Sequence, residues 1–283
     1  MNRFCTMFSQ IIFGLLSSSV ALAAGFAEPP DSDQILYENA LNRPQHVRDW
    51  VMEGQGTVRF ENGWMEMYSP HEAGDHVFWC PKTFPDRFIA EWEAQNMDPK
   101  AGLCIVFFAA AGENGIDIFD RSLPKRDGSF EQYINGKINS YHISYYANTP
   151  RKPARPYANL RKNTGFNLVS QGHAGIPAQS SAIHQLRLVK NGPDIEFYVD
   201  GRSIIRWTDD GRTHGPVLRD GKVGFRQMRW TGFRYRKFRV IRSATGSEGG
   251  GLAEPGLHTQ PPYSPSDHTD PGAAQRERAL RAR

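Results

Sequence analysis

Two groups of residues in this 283-residue chain have the types and spacing to do chemistry. The first is acidic. In Arg87-Phe-Ile-Ala-Glu-Trp-Glu-Ala94, Glu91 and Glu93 stand at i and i+2, which on a β-strand puts both carboxyl groups on one face. Glycoside hydrolysis by its usual route needs two carboxyl groups, one protonated as acid and one ionised as nucleophile or base. A solvated strand face with paired acids produces the same pattern without catalysis, and it weighs against the hydrolytic reading. Asp117 and Asp120 form a second acidic pair. Their spacing sets them on opposite faces of a strand unless a turn joins them, and either can serve as a salt-bridge partner for a nearby arginine.

The second group is Gly136-Lys-Ile-Asn-Ser-Tyr-His-Ile-Ser-Tyr-Tyr-Ala-Asn148, followed by Asn159-Leu-Arg-Lys-Asn163. Strand alternation predicts Tyr141, Ile143 and Tyr145 on one face and His142, Ser144 and Tyr146 on the other. Rings beside polar tips suit a sugar, whose C–H face is apolar and whose rim is hydroxyls. Asn159, Arg161 and Asn163 share a face if their segment is extended, and either Arg226 or Gln227 can join them from another strand. Elimination from a uronate needs its carboxylate neutralised, the adjacent proton removed and the leaving oxygen protonated. Arginine and asparagine can do the first, and His142 and Tyr146 can act as base and acid. Sugar binding without catalysis, or a purely structural His142, fits the same residues. The expected site is therefore Glu91, Glu93, Asp117, His142 and Tyr146 for catalysis, with Tyr141, Tyr145, Asn159, Arg161, Asn163, Arg226 and Gln227 for substrate.

The elements that position these groups are short. Apolar or alternating runs cover Thr57 to Phe60, Trp64 to Tyr68, Phe88 to Ala94, Leu103 to Ala109, Tyr141 to Ala147, Asn167 to Ser170, Gln185 to Lys190, Asp194 to Val199, Arg202 to Thr208, Lys222 to Arg226 and Phe233 to Ile241. Gly, Pro, Asn and Asp punctuate them, and long helical periods are lacking. The expectation is an all-β sandwich. Asn191-Gly192 and Asp200-Gly201 tolerate positive φ and predict a three-stranded meander from His184 to Trp207.

Residues 1–23 read as a secretory signal peptide, with Arg3, an apolar run and small residues ending at Ala23-Ala24, so a periplasmic or secreted protein is expected. No membrane anchor is expected in the mature chain. Residues 24–34 read as a linker, 35–243 as the folded domain and 244–283 as a tail too poor in large apolar residues to fold alone. Cys80 and Cys104 can be a disulfide or two buried thiols, and the sequence leaves both open. A net charge of +4 does not demand nucleic acid. Local basic clusters at Arg121, Lys125 and Arg126, and from Arg151 to Lys162, suit an anionic polymer or a plain solvated loop. No cofactor is expected, though Asp209-Asp210-Gly211 offers hard oxygens for a structural calcium or simply a turn. His71-Glu72-Ala-Gly-Asp75-His76 lacks helical ligand spacing and reads as a loop near the groove. The absence of a Gly-x-Ser-x-Gly elbow, phosphate loop or dinucleotide fingerprint argues against serine hydrolase, nucleotide and redox classes.

The meander and Gly221-Lys-Val-Gly-Phe225 resemble the closing strands of concanavalin A-like lectin and glucanase domains. A fuller series is similar to the YesU-like family of that superfamily: Gly102-Leu-Cys-Ile-Val-Phe-Phe-Ala-Ala110, Gly115-Ile-Asp-Ile-Phe-Asp120, Tyr141-His-Ile-Ser-Tyr-Tyr146, Asn159-Leu-Arg-Lys-Asn163, Trp207-Thr-Asp-Asp-Gly211 and Gly224-Phe-Arg-Gln-Met228. The resemblance spans Tyr37 to Val240 and implies a two-sheet antiparallel jelly roll with a concave face and a setting in polysaccharide use. It implies no agreed reaction, and Gln95 stands where glucanases of the superfamily carry a third alternating acid. The functional expectation is cleavage of a polysaccharide or oligosaccharide, uronate-containing by preference, with hydrolysis slightly ahead of elimination. The alternatives are a non-catalytic glycan-binding module and an adhesive envelope protein.

Overall fold

The computed structural model describes residues 34–99, 101–149 and 153–243. The expected leader, most of the linker and the tail lie outside them. Fifteen strands follow in chain order: β1 (Ile35–Asn39), β2 (Val51–Gly54), β3 (Thr57–Glu61), β4 (Trp64–Tyr68), β5 (His76–Phe84), β6 (Arg87–Asn96), β7 (Gly102–Gly112), β8 (Ile138–Asn148), β9 (Asn159–Asn163), β10 (Asn167–Gln171), β11 (Ile183–Asn191), β12 (Asp194–Val199), β13 (Arg202–Thr208), β14 (Gly221–Gln227) and β15 (Phe233–Arg242). Among the described residues one α-helix of four residues, α1 (Glu131–Ile134), and three short 3-10 helices interrupt them.

The strands form two antiparallel sheets, as expected for a jelly-roll sandwich. The first sheet runs β13-β12-β11-β6-β15-β4-β3, with β1 also paired to β15, and the second runs β10-β9-β8-β7-β14-β5-β2. All runs named from the sequence are strands, and the meander closes through the expected turns, with positive φ at Gly192, Asp200 and Gly201. Strand β5 was not foreseen, because Pro81 sits inside it. The proline falls where the β14 register shifts, between the Trp79–Gly224 and Thr83–Lys222 pairs, a position that does not require its missing N–H.

Between the sheets lies one large core. Phe78, Val106, Ile143, Leu160 and Phe225 face it from the second sheet, and Trp92, Leu188, Phe197 and Tyr235 from the first. Cys80 and Cys104 are both unpaired and buried there. Burial pushes the Cys80 thiol up to about 12 and the Cys104 thiol higher still.

The far face of the second sheet is not open groove throughout. Val77, Trp79, Ile105 and Phe107 form a second apolar cluster there, covered by Ile118, Tyr133, Phe119, Leu123 and Phe130 from the segment between β7 and β8. Trp79 fits because its cross-strand neighbour is Gly224. A Cβ at that position would stand 2.4 Å from the indole.

Candidate functional site

The two expected carboxylate sets separate at once. Glu91 and Glu93 lie on β6 in the first sheet, on its outward face and on the opposite sheet from His142. Arg187 and Arg239 stand directly opposite Glu91 on the two flanking strands and bond it at 2.5 and 2.6 Å. Glu93 is bonded by Arg236 at 2.5 Å and Lys237 at 2.8 Å. Burial alone would raise the Glu93 pKa, but Lys237 and Arg236 hold it below the usual range. A general acid needs the reverse of the Glu93 shift, and with each carboxylate held by two basic side chains the pair forms an ion-pair ladder across the sheet. Asp117, half exposed, pairs with Lys222 at 2.9 Å and caps the Phe119 N–H. Its partner Lys222 stands on β14, and β7 separates that strand from the β8 of His142.

Three expected tyrosines face the core. Tyr141 donates its hydroxyl to Asp209, and Tyr145 packs on Trp92 and Phe197. Tyr146 was expected beside His142, but the pairing of β8 with β7 shifts between Cys104 and Ile105, which inserts one extra residue into β8. That bulge turns Tyr146 inward, where it packs at a tilt against Phe233 and bonds Asn96 and the Ala178 carbonyl. Gln227 is also inward and bonds Tyr235. The carboxylates of the Asp209-Asp210 turn are spent on protein partners. Asp209 takes Lys162 Nζ at 2.6 Å, and Asp210 caps the Arg212 and Thr213 N–H groups. Among the described residues no three His, Cys, Asp or Glu side chains group as metal ligands.

What does assemble is the far face of the second sheet at its β8-β9-β10 end. Antiparallel pairing aligns Ser144 with Asn159 and Gln171, His142 with Arg161, and Ser140 with Asn163. These rows put amides, hydroxyls, imidazole and guanidinium on one face, because each row joins directly opposite residues of neighbouring strands. Asn163 Nδ2 reaches Ser140 Oγ at 3.0 Å and His142 Nδ1 at 2.9 Å. Arg161 Nη1 donates to the Phe166 carbonyl at 2.6 Å, and its guanidinium lies 3.7 Å from the Phe166 ring centroid. Arg226 joins from β14, stacked over Phe130 and bonded to Asp75 at 2.7 Å and the Gly128 carbonyl at 2.9 Å. Asp75 brings the His71–His76 loop to this face, as the sequence suggested.

Several residues of the face could not be placed on it from the sequence, although Arg155 belongs to the basic cluster between Arg151 and Lys162. Arg155, in the connection before β9, folds back to donate to the Ser144 carbonyl and Oγ at 2.8 and 2.9 Å. Its guanidinium lies over the Tyr157 ring at 5.3 Å. Burial lowers the Arg155 pKa to about 10, with Arg161 adding to the shift. Glu53 and Tyr133 were missed because each is a single polar residue in an unpatterned run, and Arg126 was read only as part of a local basic cluster with Arg121 and Lys125. Glu53 accepts from Trp79 Nε1, from the Arg126 fork and from the Tyr133 hydroxyl, all between 2.6 and 3.0 Å. This carboxylate pins the covering segment to the sheet.

His142 is wholly enclosed, edge-on to Phe107 and stacked on Phe166. Burial, then Arg161, Arg226 and Arg155, hold its pKa well below the usual histidine value, so the ring is neutral. With the Asn163 Nδ2 turned to the ring, as in this structure, Nδ1 is the acceptor and the ring proton sits on Nε2, while Asn163 Oδ1 is buried without a partner. In this state the ring offers a donor, and its one lone pair is already used.

Comparison with known proteins agrees with the fold. "Uncharacterized protein YesU" of Bacillus subtilis (strain 168) is 41% identical over 211 residues, which is 72% of this chain and 94% of that protein. A crystal structure of a Bacillus subtilis protein of unknown function with galectin-like fold matches with a TM-score of 0.71 at 39% identity, over 74% of this chain and 96% of that one. The exoplasmic/lumenal domain of VIP36, solved in a Ca2+/Man3GlcNAc-bound form, matches with a TM-score of 0.52 at 12% identity, over 74% of this chain and 90% of that one, and shares the fold. The family model described as a domain of unknown function, DUF1961, matches residues 34–240, and this chain belongs to that family.

Proposed function

We propose that this protein binds carbohydrate through the β8-β9-β10 end of the far face of the second sheet, without cleaving it, and that the preferred ligand carries a carboxylate. The observation that carries the reading is the grouping of Arg155, Arg161, Ser144, Asn159, Gln171 and Tyr157 around neutral His142. Amides and hydroxyls match sugar hydroxyls, Tyr157 offers a ring to a sugar C–H face, and the arginines favour an acidic saccharide. The acidic pair on β6 lies on the other sheet, and His142 has its lone pair occupied by Asn163. Neither supplies the acid and base that cleavage needs.

The lectin-type neighbours support the fold on which such a face is displayed, while the ligand itself is argued from the residues. Export, read from residues 1–23, would place the protein where polysaccharide is met. The test is to present a panel of neutral and uronate-containing oligosaccharides to the purified mature chain, measuring binding and the mass of the recovered sugar together. Binding of acidic sugars recovered intact supports the proposal. Fragments heavier by one water would make the protein a hydrolase, and unsaturated fragments would make it a lyase with His142 as base. No binding by any saccharide would reject the site.

A further inference from the structure

At the rim of the first sheet, away from the face described above, three side chains stand in a line. Ser180 Oγ lies 2.7 Å from His184 Nε2, and His184 Nδ1 lies 2.6 Å from Asp200 Oδ2. We propose that Ser180, His184 and Asp200 form a catalytic triad that hydrolyses esters of short acyl groups, such as O-acetyl groups carried on an alcohol or a sugar hydroxyl.

The local structure holds each member in its role. Asp200 occupies the β12–β13 turn with positive φ, together with Gly201, and this turn carries its carboxylate back to β11. Its other oxygen accepts the Gln185 N–H at 2.8 Å, so one oxygen is fixed by backbone and the other receives the ring N–H. A carboxylate can only accept, so Nδ1 carries the proton and Nε2 presents its lone pair to the serine hydroxyl. That tautomer is the one a general base for serine requires. His142 has the opposite arrangement, which is why it serves as a donor and His184 can serve as a base.

The serine is held as firmly. Its loop is tied down on one side by the Tyr146 hydroxyl, which bonds the Ala178 carbonyl at 3.1 Å, and on the other by Gln95, which bonds the Ser181 carbonyl at 2.5 Å. Within the loop the Ser180 N–H bonds the Pro177 carbonyl. Among the described residues the Ser181 N–H, next after the serine, has no acceptor, and it is a candidate donor for a developing oxyanion. The His184 side chain is 8% exposed and that of Asp200 is 49% exposed, with Ser180 half-buried, so the line opens to solvent at the rim. A site this shallow suits a small acyl group.

In the reaction Ser180 Oγ attacks the ester carbonyl carbon as its proton passes to His184 Nε2. The C–O bond to the alcohol breaks, the alcohol leaves with that proton, and an acyl-serine remains. Water, deprotonated by His184, then attacks the acyl carbon and releases the carboxylic acid and the free serine. The balance is ester plus water to acid plus alcohol, with no other reactant. The sequence showed none of this, because the serine lies outside any Gly-x-Ser-x-Gly elbow and the aspartate sits in an ordinary Asp-Gly turn.

The experiment is to treat the folded mature chain with a fluorophosphonate probe and locate the adduct by peptide mass spectrometry, and to follow p-nitrophenyl acetate hydrolysis in parallel. The expected result is one adduct, on Ser180, with ester turnover falling at least about a thousand-fold in Ser180→Ala. The half-buried serine makes Ser180→Ala a fold-preserving change, checked by its melting temperature. Asp200 is a positioning residue, so Asp200→Asn should slow labelling about tenfold or more and move the acid limb of the pH–rate profile, which mere structural capping would not do. No adduct on Ser180 of the folded wild-type chain, or equal turnover by Ser180→Ala, overturns the proposal.

Discussion

The side-chain amide of Asn163 on β9 lies 2.9 Å from Nδ1 of His142 on β8. The contact fixes the ring as a neutral Nε2–H donor inside a set of arginines, and it turns a residue chosen for acid-base work into one suited to binding. Burial, Arg161, Arg226 and Arg155 all act in the same direction, against a second positive charge at this point.

A pH dependence of stability follows. His76 is also buried, and burial lowers its pKa from 6.5 to about 4. For both histidines the unfolded chain binds more protons than the folded chain below pH 6.5, so stability is complete above that value and falls as the pH drops. The His76 share alone amounts to about 3 kcal/mol by pH 4. Denaturant unfolding between pH 7 and 4 should show this loss. His142→Phe keeps the ring packing and removes one titration, so its loss over the same range should be smaller; an equal loss would contradict the assignment.

Glu91→Gln should cost stability and leave saccharide binding unchanged. Removing the charge leaves Arg187 and Arg239 facing a neutral amide, and both arginines are partly solvated, so the expected loss is about 1–3 kcal/mol. Urea titration measures the cost. Loss of binding in a folded Glu91→Gln chain would return the site to the first sheet.

Glu53→Gln should loosen the cover over the second sheet. The Arg126 fork and the Tyr133 hydroxyl both end on this carboxylate, and its partners are enclosed, so the change should cost about 3–5 kcal/mol. Hydrogen exchange should accelerate in residues 113–137 before it does in the meander. Uniform acceleration would mean that the cover is not a separate unit.

Gly224→Ala should destabilise by about 1–3 kcal/mol, because the added methyl meets the Trp79 indole and backbone pairing on both sides of β14 limits relief. Near-ultraviolet circular dichroism should report the displaced indole. An unchanged spectrum and unchanged stability would show that the sheet yields at that point.

Much of the fold was legible because strand period and turn chemistry are local. The Asn191-Gly192 and Asp200-Gly201 turns and the alternation of β11 are written in neighbouring residues. The site was legible only where alternation ran unbroken. His142, Arg161, Asn163 and Asn159 share the face that period two assigns to them, and of the two alternatives Arg226 and Gln227 it is Arg226 that joins it, whereas one inserted residue in β8 reversed Tyr146. Glu91 and Glu93 were placed correctly on one face of a strand, but nothing local shows which sheet that strand joins or that arginines from β11 and β15 meet it there. Arg155, Glu53 and Tyr133 depend on contacts between distant segments, and no spacing announces them.

The most direct test of the account is a calorimetric titration of an acidic oligosaccharide into the wild-type chain and into Arg155→Ala, Arg161→Ala and Glu91→Gln, each first shown to be folded. The account predicts that both arginine variants weaken binding about tenfold or more while Glu91→Gln binds as wild type does. Full affinity in both arginine variants, with affinity lost in Glu91→Gln, would contradict it.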